Sequence, residues 1–213
     1  MPTSLPQLEG RPVVTDGGLE TDLIFHRGVD LPEFASFPLL EGEQGRALLE
    51  QYFVDYIEIA AKAGAAVQLE TPTWRANPDW GAKLGYDVDA LRRINREAVA
   101  FLAAMRERSL VDELLVSGNV GPRGDGYVAG ATVDPDEAAE YHRPQIEAFA
   151  EAGADLVTAL TLTGPEEGIG VAQAARRAGL PVAIGFTVET DGRLPDGTSL
   201  AQAIAAVDAA APP

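Results

Sequence analysis

Three times this chain ends a helical stretch on Ala-Gly and runs at once into an apolar, β-prone stretch. The three are Ala63-Gly64-Ala65-Ala66-Val67, Ala152-Gly153-Ala154-Asp155-Leu156-Val157 and Ala178-Gly179-Leu180-Pro181-Val182. A glycine just past a helix end takes the left-handed conformation that closes the helix, and a buried parallel strand begins a residue or two later. Ahead of these glycines apolar residues recur at helical spacing: Leu49, Tyr52, Tyr56, Ile59 and Ala63, then Ile146, Phe149 and Ala150. A further helix is signalled by Asp87 as its cap, with Leu91, Ile94, Ala98, Phe101, Leu102 and Met105 in three- and four-residue steps. Asp134-Pro135-Asp136-Glu137 opens another, and Pro144 inside it should bend it.

Strands are expected near residues 12–16, 66–71, 114–119, 155–161 and 181–187, each followed by a helix, the last from about Ser199 to Ala209. Such alternation means an α/β fold with a parallel sheet, either open and doubly wound or closed as a (β/α)8 TIM-type barrel. The first strand is followed by neither a Gly-x-Gly-x-x-Gly fingerprint nor a phosphate-binding loop, which favours the barrel. A full barrel takes about 250 residues. With 213 residues ending after a fifth βα unit, residues 1–213 are expected to form one incomplete barrel domain. Two uncovered parallel edges would then drive homo-oligomerisation or aggregation.

Charge narrows the partners. Lys and Arg number 16 against 33 Asp and Glu, a formal charge of −17, which repels phosphate backbones and anionic lipid surfaces. No apolar run approaches the roughly 18 residues of a membrane span. Met1-Pro2-Thr3-Ser4 lacks the basic and apolar stretches of a signal sequence, so a cytoplasmic protein with no nucleic-acid or membrane partner is expected. The absence of cysteine excludes disulfides, cysteine nucleophiles and thiolate metal sites within these residues.

Barrel active sites assemble at the C-terminal ends of the strands. The first ends Asp16-Gly17-Gly18-Leu19-Glu20-Thr21, read either as a tight turn or as a place where backbone N–H groups approach a ligand and Asp16 orients an amino or hydroxyl group. The second ends Glu70-Thr71-Pro72-Thr73-Trp74-Arg75-Ala76-Asn77. Glu70 within an apolar strand needs a partner, either a ligand at the barrel mouth or a salt bridge to Arg75. The third ends Gly118-Asn119-Val120-Gly121-Pro122, a close-approach site or a plain loop. The fourth ends Leu160-Thr161-Leu162-Thr163, with hydroxyls and no charge. Glu189 after the fifth reads first as a solvated loop carboxylate. His26 and His142 lack metal-ligand spacing; His142 reads as a surface or packing residue, and His26 lies in the loop after the first strand.

In order and spacing, Val14-Thr15-Asp16-Gly17-Gly18-Leu19-Glu20-Thr21, then Ala63-Gly64-Ala65 to Glu70-Thr71-Pro72-Thr73 with Asn77, then Gly118-Asn119-Val120-Gly121-Pro122, resemble the homocysteine S-methyltransferase family. Gln145-Ile146-Glu147 with Ala152-Gly153-Ala154-Asp155, and Phe186-Thr187-Val188, extend the resemblance over nearly the whole chain. It implies a methyltransferase (EC 2.1.1 class) of methionine biosynthesis built on a (β/α)8 barrel. In that family zinc activates the homocysteine thiol to attack the methyl group of an onium donor of S-methylmethionine, S-adenosylmethionine or betaine type. By position, Asp16, Gly17 and Gly18 would hold the amino-acid end of homocysteine, and Glu70, Thr71 and Asn119 would line the same mouth. The family's zinc ligands are cysteines from later strands, so these residues supply none, and the chain alone is expected to be inactive. Many members carry Glu-Thr where Leu160-Thr161 stands, which bears on substrate choice.

Two other readings remain. One is a barrel hydrolase with Glu70 and Glu189 as paired carboxylates, which requires about 5 to 9.5 Å between them. The other is a non-catalytic partial barrel that must pair with another chain.

Overall fold

The computed structural model describes residues 5, 8, 10–130 and 133–210. Five strands, β1 (Val13–Thr15), β2 (Ala66–Glu70), β3 (Leu114–Val120), β4 (Leu156–Leu162) and β5 (Val182–Phe186), lie side by side in chain order, every neighbouring pair parallel. Five of five expected strands are present, with ends within two residues of the sequence reading. Sequential parallel order, with a helix after each strand, is the α/β pattern of an incomplete TIM-type barrel, here a curled half-barrel with β1 and β5 as its outer strands.

The helices are α1 (Glu43–Ala63), α2 (Pro78–Lys83), α3 (Val88–Arg108), α4 (Pro135–Ala152), α5 (Pro165–Ala178) and α6 (Leu200–Ala210). Gly64, Gly153 and Gly179 close α1, α4 and α5 in the left-handed region, at φ 60°, 85° and 74°. The repeated Ala-Gly therefore works as read: the chain reverses out of each helix and enters the sheet without straining a Cβ. The Asp87 carboxylate accepts from Ala90 N–H and that of Asp134 from Asp136 and Glu137 N–H, satisfying donors that helix starts leave open. Pro144 lies inside α4, which nevertheless runs unbroken from 135 to 152.

Alternation along the strands separates two chemistries. Val67, Leu69, Val116, Val120, Val157 and Ala159 pack into the core beneath the helices. On the other face Gln68, Glu70, Ser117 and Thr158 hydrogen-bond to one another: Gln68 Nε2 donates to Glu70 Oε1 at 2.7 Å and to Thr158 Oγ1 at 3.3 Å, and the Ser117 and Thr158 hydroxyls meet at 2.8 Å. The concave side is thus polar at mid-sheet. Gly118 faces the helices, where any side chain would run into the Phe149 ring and hold α4 off β3.

Candidate functional site

At the C-terminal ends of β1 to β4 lies a cavity of about 290 Å³. Asp16, Gly17, Gly18, Glu70, Thr71 and Asn119, the six residues singled out from the sequence, all line it. Glu20, Phe34, Trp74, Tyr127, Leu160 and Thr161 share its wall. Loop-borne side chains such as Trp74 and Tyr127 belong to no periodic pattern, and only contact across loops brings them together. Glu20 stands four residues after Asp16, where its own strand-end position was the available signal.

The carboxylates are held by short-range donors. Glu70 N–H donates to Asp16 Oδ1 at 3.1 Å, tying the end of β1 to β2. Burial, reinforced by the neighbouring Glu70 charge, holds the Asp16 carboxyl well above the usual carboxylate range, with the Glu70 N–H pulling partly back. Glu70 is 8% exposed; burial raises it too, offset by the Gln68 amide. Among the described residues its second oxygen, Oε2, has no hydrogen-bond partner, and neither has Asn119 Oδ1. Glu20 is raised by burial and steadied by the Ser36 hydroxyl, which donates to Oε1 at 2.6 Å. Gly17 N–H donates to Tyr52 Oη at 3.0 Å, and a Cβ on Gly17 would stand 2.9 Å from Tyr56 Oη, so glycine is what lets α1 approach the strand end.

Thr71 and Asn119 form a closed circuit with Thr73. Asn119 N–H donates to Thr71 Oγ1 at 2.8 Å, and Thr73 Oγ1 donates to Asn119 O at 2.8 Å. The two threonine hydroxyls lie 2.7 Å apart, and the other two bonds require Thr71 to donate to Thr73. Thr71 therefore fixes the β2 and β3 ends against each other. Trp74 Nε1 donates across the mouth to Thr161 Oγ1 at 3.1 Å. Thr161 holds a left-handed φ of 60° at the β4 irregularity between Ala159 and Leu162, backbone strain of a kind that concentrates at sites of this sort.

Some expectations need correction. Glu70 makes no ion pair with Arg75: the guanidinium instead lies between the Trp74 and Trp80 rings, 4.4 and 3.4 Å from their centroids, because burial among indoles favours stacking. Of the two readings of His142, packing holds and surface does not: it is wholly buried, with Nε2 2.9 Å from Glu167 Oε1. Glu189 is exposed on the turn after β5 and does not line the cavity, which leaves a paired-carboxylate hydrolase without its second group. His26 is also exposed and lies outside the lining.

The residues present do not fit the zinc that the family resemblance implies. The sequence has no cysteine, and among the described residues no three or more His, Asp or Glu side chains converge to hold a metal ion. What they offer a ligand is a cavity rich in acceptors.

Comparison with known proteins agrees with the sequence motifs. The family model for homocysteine S-methyltransferase matches residues 13–213. The chain is 29% identical over 207 residues to the homocysteine S-methyltransferase of Escherichia coli, covering 91% of this chain and 64% of that protein. It is 28% identical over 166 residues to the Bacillus subtilis homocysteine S-methyltransferase YbgG, covering 70% and 50%. It thus spans about two thirds of the first relative's length and half of the second's. Among solved structures, the metallated Escherichia coli homocysteine methyltransferase MmuM superposes with a TM-score of 0.76 at 26% identity, covering 97% of this chain and 73% of that one. The oxidized form gives 0.78 at 25%. Motif order, half-barrel topology and the family match over residues 13–213 agree: the chain belongs to the homocysteine S-methyltransferase family.

Proposed function

We propose that the cavity holds the amino-acid end of a thiol substrate such as homocysteine, the acceptor in a methyl transfer from an onium donor of S-methylmethionine, S-adenosylmethionine or betaine type, and that these 213 residues bind the thiol but do not activate it by themselves. The observation that carries this reading is the pair of unpartnered buried acceptors, Glu70 Oε2 and Asn119 Oδ1, lining one cavity with Asp16 and Glu20 and with no Lys, Arg or His among the described residues of its wall. A buried acceptor without a donor is costly, and an ammonium group supplies donors and charge together. Glu70 and Asn119 take the ammonium, and Asp16 adds charge beside them, with Gly17 and Gly18 in the same wall. Leu160 offers an apolar surface to the substrate's methylene chain.

In the transfer, the thiol gives up its proton to solvent and its sulfur forms a bond to the donor methyl carbon as the donor's own bond to that carbon breaks, the bonding pair leaving with the donor and cancelling its onium charge. The part of these residues is to bind and orient: a rigid cavity holding the sulfur in line with the methyl group converts a bimolecular encounter into a fixed geometry.

Titration calorimetry of the protein with L-homocysteine tests the reading, with the Glu70→Gln variant beside it. Binding that falls at least about 100-fold in the variant is expected, because the amide turns an acceptor into a donor against the ammonium. No binding to the native protein, or equal binding to both, overturns it. Incubation with S-methyl-L-methionine and L-homocysteine, followed by mass spectrometry, is expected to give no methyl transfer by these residues alone; turnover would show that they activate the thiol without the family's cysteines.

A further inference from the structure

After β3, residues 121–127 run along the cavity wall. Gly121 fits against Trp74, buried Gly126 against Trp74 and Thr161, and Tyr127 forms part of the wall. Substituents on either glycine would collide with those residues: a Cβ on Gly126 would stand 2.8 Å from Thr161 Oγ1. The loop is therefore seated to within a few tenths of an ångström, although residues 124, 125 and 127–130 around that seat are exposed.

Its anchor is a carboxylate from another helix. Glu167, in the first turn of α5 and 9% exposed, accepts on Oε1 from Arg123 N–H at 2.7 Å, and the same oxygen lies 2.9 Å from His142 Nε2. His142 Nδ1 is buried and has no hydrogen-bond partner among the described residues, so the ring's one polar contact is the one to Glu167. The Arg123 carbonyl accepts from Trp80 Nε1 at 3.1 Å, and its guanidinium pairs with Asp79 and Glu137. The N–H, carbonyl and guanidinium of Arg123 are thus engaged by three helices, α5, α2 and α4, with α2 holding both its carbonyl and its guanidinium.

A buried carboxylate and a buried imidazole are expensive to desolvate, and hydrophobic residues would fill the space at lower cost. Their pairing at the root of this loop is what the cost secures. We propose that Glu167 is a positioning residue: through Arg123 N–H, and braced by His142, it sets the β3–α4 loop that places Gly126 and Tyr127 against the substrate cavity.

The test compares Glu167→Ala and Glu167→Gln with Val171→Ala, a fully buried core substitution one turn along the same helix with no bond to the loop. Hydrogen exchange across residues 121–130 needs no ligand and stands apart from the proposed function. Glu167→Ala is expected to speed exchange there at least about tenfold more than in the strands, Glu167→Gln to restore most of the protection since its amide oxygen still accepts, and Val171→Ala to show no such local change. The L-homocysteine dissociation constant, which does rest on the proposed function, should rise about tenfold in Glu167→Ala only. Equal local exchange in Glu167→Ala and Val171→Ala overturns the positioning role. So does unchanged loop exchange in a folded Glu167→Ala. Should the alanine variant fail to fold, loop exchange in Glu167→Gln decides: protection near that of the native protein supports the role, and loss as large as global opening overturns it. If native protein shows no homocysteine binding, the substrate reading fails while the exchange result still judges the anchor.

Discussion

Gln68 and Glu70, two residues apart on the concave face of β2, share a 2.7 Å hydrogen bond that occupies one oxygen of the Glu70 carboxyl and leaves the other bare in a buried site. The strand's two-residue repeat creates this pairing, and it leaves Glu70 polarised toward the cavity. In the absence of ligand such a group weakens the fold, and its raised pKa expresses the same fact.

The sign of the resulting pH effect follows from linkage. Between the unfolded value of about 4.3 and its raised folded value, Glu70 binds more protons folded than unfolded, so its contribution to stability falls as pH rises through that window. Glu70→Gln is therefore expected to be more stable than the native chain at pH 8, with the gain shrinking as pH is lowered toward 5. Urea unfolding at several pH values measures it. A deficit of constant size at every pH would show that the carboxylate is stabilising and the account wrong.

Ligand binding should run the opposite way. Asp16, Glu20 and Glu70 are all held above their ordinary values by burial, and an ammonium favours their ionised forms. Binding of L-homocysteine should then tighten as pH rises from 5 to 8 and release protons into the buffer. Calorimetry in two buffers of different ionisation enthalpy reads the proton count directly; uptake instead of release would contradict a cationic group in this cavity.

How much of this was legible beforehand divides along physical lines. The strands and helix ends were, because Ala-Gly closures and three- and four-residue apolar steps are local. The concave polar network was not: Gln68 and Thr158 are 90 residues apart, and only sheet register brings them together. The short helical turns between Leu19 and Glu41 carry no sustained period, and their form comes from packing on Trp74, Ser36 and the β1 end. Asp16, Glu70 and Asn119 were legible as strand-end polar residues. Arg75 misled because a nearby opposite charge suggests an ion pair, and nothing in its spacing announces a stack between two indoles.

The circuit joining Thr71, Thr73 and Asn119 makes Thr71 a structural clamp as well as part of the cavity wall. Thr71→Val keeps the shape but strands the Asn119 N–H, at a cost of about 1–3 kcal/mol. Thr71→Ser retains the hydroxyl and should lose much less. Chemical denaturation of the three proteins distinguishes them, and a valine variant as stable as the native chain would remove the circuit from the account.

Arg75 offers the sharpest optical test, since Trp74 and Trp80 are the chain's two tryptophans and the guanidinium lies against both. Burial lowers the Arg75 pKa, while the charges of Asp125, Glu33 and Glu20 lean the other way, and both indole faces lie against the cation. A desolvated contact of this kind is worth about 2 kcal/mol, and lysine cannot reproduce the planar stack. Both Arg75→Met and Arg75→Lys should therefore shift the tryptophan emission and lower stability. Through Trp74, which lines the cavity and donates to Thr161, they should also weaken ligand binding. A lysine variant with native emission and native stability would mean that charge alone, and not the stacked plane, holds this wall of the cavity.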